Sequence, residues 1–154
     1  HRQRLFADQD LAQQYWLEWM GQASLHFETG NFSAALPLLG CAFELSDHLL
    51  SRTWPNATTA LSRFSAAAIS LAKVYHLSGD EQAQSIVIEQ AKERVAARVP
   101  DIRCYQLISD SIAAFNWAAV NLAIHRWRKQ LVDHQHYSLS SEASQQYPLE
   151  QVLH

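Results

Sequence analysis

Residues 26–47 read HFETGNFSAALPLLGCAFELSD, and this stretch decides the fold. Two apolar, alanine-rich segments meet at Gly30-Asn31. Glycine stops a helix because it enters the left-handed region at no steric cost, and asparagine starts the next by capping its free amides. The turn predicts two antiparallel helices. Small residues crowd the second segment: Ala34, Ala35, Gly40, Cys41 and Ala42. Side chains of this size are needed where two helix backbones approach closely. Ala23 on the first helix is therefore expected opposite Ala35 and Leu39.

Working outward, the same arrangement recurs. A shift of 49 residues superimposes Ala23 on Ala72, Gly30 on Gly79, Asn31 on Asp80, Ala34 on Ala83 and Ala42 on Ala91. One helical hairpin cannot bury its apolar face alone, whereas two stacked hairpins share a core. Apolar periodicity and end signals predict five helices. The first starts near Asp8 or Asp10 and ends at Thr29. The second reaches about Leu50 or Arg52, with Pro37 expected to bend its early turns. The third follows Thr53-Trp54-Pro55 and stops at Gly79. The fourth is capped by Asp80 and closed by Pro100, and the fifth runs from Asp101 to about Val132. The polar, Ser/Gln-rich stretch from Tyr137 to His154 reads as a loose tail, so the expected division is one domain over 1–136 and a tail over 137–154.

Composition agrees with an all-α fold. The chain has 154 residues, 48% hydrophobic and 18% charged, which excludes a disordered polymer. Four Gly and four Pro fall well below the usual combined ~12%, too few for a turn-rich β-fold or a phosphate-cradling loop. A net charge of −3 gives no electrostatic reason to expect nucleic acid. The densest basic run, His125-Arg126-Trp127-Arg128-Lys129, reads as a solvated helix end. Cys41 and Cys104 lie in apolar helical patterns and are expected as reduced core residues. No uninterrupted apolar run approaches the ~18–20 residues of a membrane span, and the initial HRQRLFADQD lacks a signal-peptide core. The expectation is a soluble cytoplasmic protein that engages neither membrane nor nucleic acid.

The stretch Trp19, Ala23, Phe27, Gly30, Ala35, Leu39, Ala42 and Leu45 resembles a tetratricopeptide (TPR) repeat. The second copy carries Leu71, Ala72, Tyr75, Gly79, Ile88 and Ala91, and departs at Gln84 and Arg94, where a small and an apolar residue are expected. The 49-residue spacing exceeds the family's period of about 34, and the resemblance covers about 80 residues. Any antiparallel α-hairpin packed through alanine imitates part of the pattern, so an unrelated helical bundle stands as the alternative. The resemblance implies stacked hairpins followed by a long C-terminal helix. It also implies a groove lined by first-helix residues: Leu17, Met20, Ser24, Phe27 and Glu28, then Ala66, Ile69, Lys73, His76 and Leu77. A clamp for a chaperone's C-terminal carboxylate needs several cations there, and only Lys73 is present. Met20 and Phe27 favour an amphipathic helix or apolar peptide instead. The competing reading packs these side chains against the fifth helix.

Chemistry-bearing motifs are scarce. His134-Gln135-His136 beside Asp133 is the one close histidine cluster, and ligands two apart suit an extended segment better than a helix. Glu44 and His48 share a helix face but lack the further carboxylates of a di-metal bundle. Neither cysteine adjoins a basic activator at a helix start, and no nucleophile elbow occurs. Neither catalytic nor metal residues, nor a cofactor, are expected. The fifth helix carries two apolar stripes. Tyr105, Ile108, Ile112, Phe115, Ala119 and Leu122 form one; Trp117, Val120, Ile124, Trp127 and Leu131 form the other. Trp117 and Ala119 point about 200° apart, so the stripes oppose each other. One is expected to cap the hairpins, and Trp117, Val120, Ile124 and Trp127 to meet a protein partner or a second copy. The function expected is protein interaction, as adaptor, chaperone or regulatory subunit. A self-associating structural protein is the second reading and a helical enzyme or sensor using the histidines the third.

Overall fold

The computed structural model describes residues 9–50, 57–98 and 105–146, with side chains over 10–50, 57–97 and 105–135. Cys104, the boundaries at Thr53-Trp54-Pro55 and Pro100-Asp101, and residues 147–154 lie outside the described residues. The fold is all-α: α1 (Gln9–Glu28), α2 (Phe32–Leu50), α3 (Ala57–Leu77), α4 (Glu81–Arg98) and α5 (Tyr105–Gln146). No strand occurs among the described residues. Two compact units are formed, His1–Ala119 and Val120–His154.

Both tight turns form as their residues require. Gly30 has φ 75° and Gly79 φ 82°, the left-handed region that costs other residues about 1–2 kcal/mol. At the first turn the Gly30 amide donates to the Phe27 carbonyl (3.1 Å) and Asn31 to His26 (2.8 Å). At the second, Gly79 donates to His76 (3.1 Å) and Asp80 to Tyr75 (2.9 Å). These paired bonds satisfy carbonyls that a helix end otherwise leaves open. The following helix is capped equivalently: the Ala34 amide donates to Asn31 Oδ1 (3.4 Å) and the Ala83 amide to Asp80 Oδ1 (3.0 Å). The 49-residue correspondence is thus a correspondence of hydrogen bonds as well as of letters.

In the first unit each helix packs on the next from α1 through α4, and α2 also touches α4. The small residues occupy these crossings. Ala23, Ala35, Ala42, Ala72 and Ala91 are all buried, as are Leu39 and its counterpart Ile88. Ala35 has no exposed surface, so Ala35→Leu should cost roughly 1–3 kcal/mol by overpacking, read by equilibrium urea denaturation. Unchanged stability would mean that the α1–α2 crossing is looser than its burial implies.

Beyond the hairpins, Phe64 of α3 joins three helices. Its ring stacks on Phe43 of α2 at 5.1 Å and meets Phe115 of α5 edge-on at 6.2 Å. Phe115 is fully buried, and Ile108, Ile112 and Ala119 are half-buried, so within the first unit this stripe of α5 is its covered one. Tyr105, expected in the same stripe, is 71% exposed because it begins the helix. Lys92 Nζ of α4 donates to Asn116 Oδ1 at 3.0 Å.

Several expectations need correction. Cys41 is exposed, not a core residue. Pro37, Cys41 and Glu44 recur at helical spacing on the solvent face of α2, opposite Ala35, Leu39 and Ala42. The fifth helix does not stop near Val132 but continues to Gln146, through the polar stretch expected to be a loose tail. No Pro or Gly occurs between Val132 and Gln146 to stop it. Pro37, by contrast, lies inside α2 as expected.

The departures at Gln84 and Arg94 have tertiary settings. Gln84 is buried at the position equivalent to Ala35. Arg94 Nη1 of α4 pairs with Asp47 Oδ2 of α2 at 3.1 Å, and its guanidinium lies 5.0 Å from the Phe43 ring centroid. An ion pair with an aromatic platform therefore stands where the repeat pattern expects an apolar contact.

Candidate functional site

The first-helix residues singled out from the sequence converge in part. Met20, Ala23, Ser24 and Phe27 of α1, Leu39 of α2, and Ser70, Lys73 and Val74 of α3 line one cavity of about 230 Å³. Its geometry follows from the hairpins. Ala23 and Leu39 bury their side chains at the α1–α2 crossing, and α3 supplies the opposite wall. Phe27 comes one helical turn after Ala23, and its ring tilts against Phe32 across the Gly30 turn at 5.7 Å. Lys73 Nζ lies 5.2 Å from the centroid of that ring. Such a cation–aromatic contact contributes about 0.5–1 kcal/mol when exposed, enough to bias the lysine toward the cavity mouth.

Of the remaining expected residues, Leu17 (59% exposed), Glu28 and Leu77 are exposed and line neither described cavity. Ala66, Ile69 and His76 are half-buried and also stand apart from the lining. Ala23, Leu39, Ser70 and Val74 complete the lining and are not among the expected groove residues. Ser70 carried a signal, since it precedes Lys73 by three residues and so shares its helix face. Ala23 and Leu39 are expected from the sequence at the crossing, and only the fold shows that both also line the cavity.

A second depression, of about 320 Å³, involves α2, α3 and α4 and was not expected from the sequence. Gly40, Glu44, Tyr75, Ile86, Gln90 and Arg94 are among its lining. An added Cβ at Gly40 would meet no atom within 4 Å, so the open space there comes from packing rather than from glycine alone.

Among the described residues, the lining of the first cavity contains no carboxylate, imidazole or thiol. It holds two hydroxyls and one ammonium over an apolar floor. That set can grip an apolar group and orient it with few polar contacts. Among the described residues no group of three or more His, Cys, Asp or Glu is placed to hold a metal ion. His134 is exposed on α5.

The four α5 residues expected at an interface are all exposed: Trp117 65%, Val120 47%, Ile124 38% and Trp127 59%. Leu131 (42%) extends the same spacing. No uninterrupted apolar run reaches the length of a membrane span, but Tyr105–Gln135 is long and apolar enough on average to cross one, by length and composition only, and little of it is buried. Polar residues such as Asn116 and Asn121 interrupt the run without lowering its average enough to exclude it.

No protein-family model, curated protein or solved structure matches the chain.

Proposed function

We propose that this chain is a protein-interaction module whose paired hairpins stack in the manner of TPR repeats and hold an apolar peptide or helix in the α1–α3 groove. The observation that carries this reading is the cavity where Met20 and Phe27 meet Lys73. Met20 adapts its unbranched side chain to different shapes, Phe27 supplies a rigid apolar wall, and Lys73 selects an acidic group beside the apolar anchor. The module acts by binding rather than catalysis, as an adaptor, chaperone or regulatory subunit in the cytoplasm.

Selection of random dodecapeptides on the purified chain tests this directly. The recovered sequences should share apolar residues at helical spacing with a nearby Asp or Glu. Phe27→Ala should weaken a recovered peptide by roughly tenfold or more in fluorescence anisotropy. Lys73→Glu, at an exposed position, should weaken acidic peptides and spare their Asn/Gln analogues. Circular dichroism checks that both variants stay helical. Peptides without a shared pattern, or equal affinity for both variants and the wild type, would defeat the reading.

A further inference from the structure

The exposed stripe of α5 has a regular spacing. Val120, Ile124, Trp127 and Leu131 alternate four and three residues apart, and Trp117 lies three residues before Val120. That alternation averages 3.5 residues, the period that keeps a seam facing a partner helix when the two wind around each other in a two-stranded coil. The five side chains expose on the order of 600 Å² in one copy, so pairing two such seams removes about 1,200 Å² from water, the lower end of the range for stable interfaces. Positions beside the seam are mostly uncharged: Asn116, Asn121, Ala123 and Gln130, with Arg128 the exception. A seam with charged flanks would discriminate among partners, whereas flanks with a single charge set few like charges against each other when the chain meets itself.

Two-fold symmetry presents each seam with a helix of matching length and spacing. A bilayer is the competing environment for Tyr105–Gln135. Within this segment, however, Phe115 is fully buried against protein and Asn116 accepts a hydrogen bond from Lys92. Moving the segment into lipid would strip both contacts. We infer that a second copy of this chain docks on α5 through Val120, Ile124, Trp127 and Leu131, with Trp117 extending the seam. The inference is independent of the α1–α3 groove.

Sedimentation equilibrium of the full chain reads the association. Wild type should approach twice its 17.5 kDa mass at micromolar concentration. Trp127→Glu and Ile124→Asp should each raise the dissociation constant roughly 100-fold while keeping the helical circular dichroism. Val132→Glu alters an equally exposed apolar residue outside the seam and should associate as wild type does. Phe27→Ala should also dimerise normally, which separates this result from the groove. A monomeric wild type at about 100 µM would overturn the proposal, as would equal effects of Trp127→Glu and Val132→Glu. So would co-sedimentation of wild type with phosphatidylcholine–phosphatidylglycerol vesicles, which would assign the stripe to lipid.

Discussion

Phe64→Ala should cost roughly 3–5 kcal/mol, a large share of the ~5–15 kcal/mol that holds a domain of this size together. Phe64 is fully buried, and its two ring contacts reach different helices, Phe43 on α2 and Phe115 on α5. Truncation removes the transfer free energy of the ring and leaves a cavity that three surrounding helices cannot all close. It also forfeits both aromatic pairs, each worth about 0.5–1.5 kcal/mol beyond burial. Urea denaturation should show the loss as a lower midpoint with nearly unchanged slope. Phe64→Leu fills most of the space and should cost visibly less. If Phe64→Ala lost under about 1 kcal/mol, the aromatic trio would not be the centre of the first unit.

The second large effect is expected at the Asp47–Arg94 pair. The Asp47 side chain is 11% exposed and that of Arg94 32% exposed, so the carboxylate depends more on its partner than the guanidinium does. Removing one member of a well-buried pair costs about 3–5 kcal/mol; the partial exposure of Arg94 reduces this to roughly 2–3 kcal/mol. Arg94→Met, which leaves the carboxylate behind, should therefore cost more than Asp47→Ala, which leaves an arginine able to turn toward water. The double variant Asp47→Leu with Arg94→Met should recover part of the loss, because neither charge is then left without the other. Additive losses in this cycle would show that the two residues stabilise the unit separately.

The reach of the sequence is clearest at the two turns. Gly30-Asn31 and Gly79-Asp80 are legible because helix stopping and capping are local acts, decided by a backbone preference and one side-chain oxygen within a few residues. The buried alanines were legible for a related reason, since helical spacing and size assign them to close crossings. In the candidate site, Met20, Ser24, Phe27 and Lys73 were named from the sequence. Their meeting around one cavity depends on two helices some fifty residues apart in the chain.

Helical pattern alone determined the all-α class, the two equivalent hairpins and the opposed stripes of α5, because each follows from a rotation of about 100° per residue. Tertiary structure alone decided which faces are covered. It put Cys41 in solvent, since small apolar residues carry no mark of the side from which a neighbour approaches. It brought Leu39 into a cavity lining and admitted Arg94 at an apolar position, since the compensating Asp47 lies 47 residues away. Periodicity names a face. Only packing supplies what lies opposite it, and the free energy of burial depends on both.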